Sequence, residues 1–104
     1  MLILIYGSSI ILDSLAQCLQ RTGQVRVQRC WTLGKVHHLA QVNRVLVDLN
    51  DPATRDVLSL ARIYPRLQVI GIDDRLGKLM VLSSQEVRVR SVEEIVALLL
   101  AQSI

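Results

Sequence analysis

Short apolar runs alternate with stretches of helical period along most of this chain, and that alternation predicts its elements. Leu2 to Tyr6 is uniformly apolar and is closed by Gly7, Ser8 and Ser9, which fits a buried strand followed by a helix start. Ile11, Leu12, Leu15, Cys18 and Leu19 then recur at helical spacing until Gly23, a residue suited to ending a helix. Val25 to Cys30 alternates, with Val25 and Val27 opposed to Arg26 and Gln28, so this strand is expected to be wet on one side and near a sheet edge. Thr32 can cap a short helix through Gln41, with Leu33, Val36, Leu39 and Ala40 inward. Val45 to Leu49 reads as a third strand running into Asp48-Leu49-Asn50-Asp51-Pro52. There Asp51 can cap, and Pro52 open, a helix that carries Val57, Leu58, Ala61 and Tyr64 and stops at Pro65. Leu67 to Ile72 is a fourth apolar strand, ending in Asp73-Asp74. Strand and helix alternating in this way argue for a parallel α/β sheet.

The last third breaks the rhythm. Only Asp73 to Lys78 separates the fourth strand from the next apolar run, Leu79 to Leu82, which leaves no room for a helix. A turn signal, Ser83-Ser84-Gln85, precedes Glu86 to Arg90, where Val87 and Val89 alternate with Arg88 and Arg90. A β-hairpin with its arginines facing water is expected here. Ser91-Val92-Glu93-Glu94 has capping-box spacing and opens a final helix to about Gln102.

Composition narrows the class. At 104 residues the chain is expected to form a single domain, residues 1–104, burying roughly two-thirds of the surface of the unfolded chain. Half of the residues are hydrophobic (51%), but only 3% are aromatic and none is Phe, so the core must be aliphatic. The net charge of +3 comes from arginines scattered between Arg21 and Arg90, without the run or aromatic interleaving that nucleic-acid binding favours. The apolar N-terminus is too short for a membrane span or signal peptide, and Cys18 and Cys30 lack paired spacing. A cytoplasmic location with two reduced thiols is the expectation, with no membrane contact.

The strand order, and above all VLVDLNDP after a strand, resembles the receiver domain of two-component response regulators. The likeness covers residues 1–72 and extends to the final helix. It implies a flavodoxin-like, mostly parallel sheet in the order 2-1-3-4-5, here with the fourth helix replaced by a β-hairpin. In that family an aspartate at the end of the third strand accepts a phosphoryl group and a proline follows four residues later, a spacing matched by Asp48 and Pro52. The reaction also needs a divalent cation held by acids just after the first strand, where this chain has Tyr6-Gly7-Ser8. The family's hydroxyl residue after the fourth strand falls near Asp73, and its Lys-Pro has no counterpart, since neither Arg88 nor Arg90 precedes a proline. Asp48 is therefore expected to be the equivalent of the phosphoacceptor without its activity, a strand-end carboxylate that caps a neighbouring turn. No catalytic residue is assigned, and the chain is not expected to be an enzyme.

Contact with nucleic acid through Arg26, Arg29, Arg88 and Arg90 would show as salt-sensitive duplex binding, and two functions stand ahead of it. The first is a phosphorylation-independent, pseudo-receiver module for protein–protein interaction in signalling, with no cofactor. The final helix carries Val92, Ile95, Val96 and Leu99 on one face, yet Ala97, Leu98, Leu100, Ala101 and Ile104 cover most of the rest. A helix apolar nearly all round should be buried on more than one side. Those five residues, with Leu79 and Val81 of the hairpin, are the candidate surface for a homodimer or a partner protein, unless the hairpin wraps the helix within one chain. The second function is ligand or divalent-metal binding. Asp48, Asp51, Asp73 and Asp74 would gather at the carboxyl ends of the strands, where hard oxygen ligands could hold Mg²⁺ or Ca²⁺. His37 and His38, adjacent in sequence, point to different sides of a helix and receive no role.

Overall fold

The computed structural model describes residues 2–30, 42–52, 64, 67–81 and 85–101. The helices expected between Thr32 and Gln41 and between Pro52 and Pro65 lie outside the described residues, as do His37, His38 and Ile104. Six strands and two helices are described: β1 (Leu2–Tyr6), α1 (Ile10–Thr22), β2 (Arg26–Cys30), β3 (Arg44–Asp48), β4 (Gln68–Asp73), β5 (Lys78–Val81), β6 (Gln85–Arg88) and α2 (Val92–Leu100). Among the described residues no helix is long and apolar enough to cross a membrane.

The strands form one mixed sheet in the order β2-β1-β3-β4-β5-β6. Its N-terminal part is parallel, β1 pairing with β2 and β3, and β3 with β4. Beyond β4 both ladders are antiparallel. The order therefore differs from the expected 2-1-3-4-5 by a sixth strand, and β5 does not continue the parallel sheet. The physical reason is the short connection: a parallel return from β4 needs a crossover of a dozen or more residues, whereas Asp74 to Gly77 suffices for a reversal. Gly77 makes that turn with φ +63°, in the left-handed region that favours glycine.

Both described helices pack on one face of the sheet. Alternate strand residues Ile3, Ile5, Leu46, Ile70, Ile72, Leu79 and Val81 point to that face and share a cluster with Leu12, Leu15 and Leu19 of α1 and Ile95, Val96 and Leu99 of α2. The opposite face buries Leu4, Tyr6, Val45, Val47 and Val69. The central strands are thus buried on both sides, which explains their unbroken apolar sequences. β2 has the half-wet pattern expected of an edge, with Arg26 exposed and Val27 half-buried.

The caps follow the sequence closely. Ser9 accepts the Leu12 N–H at 3.4 Å, and Gly23 ends α1 at φ +66° with its N–H donating to Gln20. Ser91 accepts the Glu94 N–H at 3.2 Å. The return half of the capping box is displaced by one residue, because the Glu94 Oε2 accepts from the Arg90 N–H rather than from Ser91.

Leu79 and Val81 correct the expected interface. Both are buried, in the same cluster as Ile95, Val96 and Leu99, so neither is open to a partner. Leu98 and Leu100 are half-buried against that cluster, while Ala97 and Ala101 remain exposed. Full burial of a Leu or Ile contributes about 1.5–3 kcal/mol, which favours the seating of Leu79, Ile95 and Leu99 in the core.

A buried polar residue ties the final helix to the sheet. Arg44, only 7% exposed, points from β3 toward the helices and donates from Nη1 to the Leu99 carbonyl at 2.9 Å. Leu99 lies in the last turn of α2, which contains no basic residue of its own, so the Arg44 cation supplies positive charge at the negative end of the helix dipole. Burial pulls the guanidinium pKa below its usual value, so the cation bears a desolvation cost that its hydrogen bonding must offset.

Candidate functional site at the carboxyl edge of the sheet

β1 has β2 on one side and β3 on the other, so the chain switches direction there, and the crevice at the carboxyl ends of β1 and β3 is where open α/β sheets place ligands. The structure brings the four expected aspartates to this edge, at the ends of β3 and β4. Their roles differ. Asp48 is only 7% exposed, and its Oδ1 accepts the Asn50 N–H at 2.9 Å, closing a turn reinforced by the Asp51 N–H donating to the Asp48 carbonyl. It is the turn-capping carboxylate that the sequence suggested.

Asp73 closes a second turn. Its Oδ1 accepts the N–H groups of Arg75 and Leu76 at 3.1 and 3.2 Å. Asn50 joins the two loops, its Nδ2 donating to Asp73 Oδ1 and Asp74 Oδ1, each at 3.2 Å. The Asn50 amide, more than any other group, holds the Asp73 carboxyl below the usual carboxylate range, helped by the two backbone donors and by Lys78. Asp51 stands near the end of β1: a Cβ placed on Gly7 would lie 3.5 Å from Asp51 Oδ2. Gly7 itself has φ +115°, a conformation open to glycine alone, so this tight exit from β1 has no place for a carboxylate side chain.

The segment after β1 receives a cation instead. Arg29, on β2, donates from Nη2 to the Gly7 carbonyl and from Nη1 to Asp13 Oδ1, both at 2.7 Å. Among the described residues no group of three or more His, Cys, Asp or Glu is spaced to hold a metal ion. The four aspartates share an edge, but Asp48 and Asp73 accept the amides of their own turns, and Asp73 and Asp74 accept the Asn50 amide that joins the two loops.

Beside these loops lies a cavity of about 230 Å³, lined by Ile11, Ile72, Val92 and Ile95 with Asp73, Asp74 and Arg90 among its polar residues. The two large hydrophobic side chains left exposed among the described residues stand on the same edge: Ile10 (85% exposed) opens α1, and Leu76 (60% exposed) tips the turn between β4 and β5.

Sequence reasoning missed Arg44 and the bridging role of Asn50, and considered Arg29 only as a contact for nucleic acid, not as the cation beside β1. Asn50 sits inside a motif read for its acids, and its bridging amide depends on the loop after β4 coming alongside. Arg29 offered one signal, a basic residue in an edge strand adjacent to β1. Cys18 and Cys30 are not joined in a disulfide. Comparison with protein-family models, with curated proteins and with solved structures found no match to this chain.

Proposed function

We propose that this chain is a receiver-like contact domain that works without phosphoryl transfer, its carboxyl edge serving to shape a protein-binding surface. The observation that carries this reading is the commitment of the edge carboxylates to loop structure. Asp48 is buried and occupied by its own turn, while Asp73 and Asp74 are tied to Asn50. A phosphoryl acceptor needs an accessible carboxylate oxygen and concentrated positive charge on the transferring group. Gly7 and Ser8 supply no acid for a metal at the end of β1. Ile10 and Leu76, exposed on the same edge, are the kind of side chains a protein partner would cover.

The test is incubation with Mg²⁺ and a small phosphoryl donor, followed by intact mass measurement and thermal melting. No phosphoryl adduct should appear, and the melting midpoint should not move with Mg²⁺ or a phosphoryl analogue. An adduct, or a Mg²⁺-dependent rise in midpoint that Asp48→Asn abolishes, would overturn the reading in favour of a metal-binding carboxylate crevice.

A further inference from the structure

We infer that β6 is a self-recognition edge, through which two copies of this chain join into one continuous sheet about a two-fold axis. The inference rests on the contact-domain reading and names its partner as a second copy. β6 ends the sheet, and among the described residues no strand pairs with its outer side. The Val89 N–H donates to the Gly77 carbonyl at 2.8 Å, in register with the β5–β6 ladder. Alternation along an antiparallel pair then makes Leu79–Val87 and Val81–Gln85 the hydrogen-bonded pairs. The N–H and C=O groups of residues 86 and 88 accordingly point away from β5, toward whatever lies beyond the edge.

The sequence there, Glu86-Val87-Arg88, is complementary to itself when run antiparallel. A two-fold axis through Val87 sets position 86 of one copy against position 88 of the other, twice. The residues whose backbone groups face outward thus exchange hydrogen bonds in the same register that opposes an acidic to a basic position. Val87, half-buried at the margin of the helix-side core, meets its own copy in the close non-hydrogen-bonded pairing, with Cα atoms about 4.5 Å apart. Such an interface is isologous and closes at two copies. The other sheet edge lacks this property: β2 reads Arg-Val-Gln-Arg-Cys, with no acid, so no register of β2 on itself pairs opposite charges.

Sedimentation equilibrium on the full chain, up to high micromolar concentration, tests the inference through charge exchange. Wild type should form dimers. Glu86→Arg and Arg88→Glu, each placing like charges opposite one another, should each weaken association by at least about tenfold. Mixing those two variants should yield a heterodimer, and the double variant E86R/R88E, self-complementary again, should recover the wild-type dimer. Circular dichroism of each variant confirms that the fold is retained. A monomeric wild type, single variants that associate as well as wild type, or failure of both the mixture and the double variant to recover would overturn it. The phosphoryl-transfer test is untouched by these results, so failure of the dimer leaves the contact-domain reading standing, and a phosphoryl adduct sinks that reading whatever the oligomeric state.

Discussion

Removing the buried cation of β3 should loosen the helix layer more than any surface change of the same size. Arg44 donates to the Leu99 carbonyl from a site only 7% exposed, at the end of a helix whose dipole presents negative charge there. A hydrogen bond from a charged donor contributes about 1.5–3 kcal/mol, and a cation at a helix C-terminus up to about 2 kcal/mol in a partly buried setting. Against these stands the desolvation that lowers the guanidinium pKa, so the terms do not simply add. Arg44→Ala loses the donor and also vacates the volume of the side chain, and should cost about 2–4 kcal/mol, out of a total of about 5–15 kcal/mol for a domain of this size. Arg44→Met fills much of the volume while relieving the desolvation, and should cost no more than about 2 kcal/mol. Equilibrium unfolding in urea, followed by circular dichroism, would report both values, with an unchanged denaturant slope confirming that the transition remains two-state. The reasoning fails if Arg44→Ala lies within about 0.5 kcal/mol of wild type, the range of ordinary surface substitutions, or if Arg44→Met is the more damaging of the two.

Two further expectations follow from the loops. At Gly71 an added Cβ would fall 2.5 Å from Leu49 Cδ2 and 2.7 Å from its Cγ, so Gly71→Ala should cost about 1–3 kcal/mol by overpacking. That cost should largely vanish in a Leu49→Ala background, and an equal cost in both backgrounds by thermal or urea unfolding would show that Leu49 is not its source. Asp73 titrates below its ordinary 3.8 in the folded chain, so its ionised form adds stability above the unfolded pKa, and this is lost as pH falls through the lower folded value. Asp73→Asn keeps an acceptor oxygen but cannot ionise; its stability deficit should be present near neutrality and close as wild-type Asp73 protonates in acid. A deficit that stays constant or widens as the pH is lowered below 3.8 would contradict the assignment.

Local signals in the sequence carried local structure well. Ser9, Gly23 and Ser91 act at the helix ends where their side chains or backbone freedom suit them, and the alternation of Val25 to Cys30 marked a true edge. The short span from Asp73 to Lys78 correctly ruled out a helix. What the sequence could not convey was which partner each apolar surface meets. Leu79 and Val81 would read identically whether covered by their own chain or by another, and only the packing of α2 assigns them to the core. Arg44 reads as a polar residue flanking a strand, because its acceptor is 55 positions away. The gathering of the aspartates at one edge was legible from strand direction, but their engagement by Asn50 and by turn amides depends on how two separate loops meet.

The change from parallel to antiparallel pairing at β4 also divides the sheet by the distance its contacts must travel along the chain. β4, β5 and β6 follow one another through short turns, so this meander can form within the microseconds typical of hairpins. Pairing β1 with β3 closes a loop of about forty residues, and seating the end of α2 on Arg44 closes a longer one, each with a larger entropic cost before its contacts form. By loop-closure entropy alone, the C-terminal meander is expected to form at lower cost than the parallel pairing of β1 with β3, and the bond from Arg44 to the Leu99 carbonyl has to wait until β3 and the end of α2 meet.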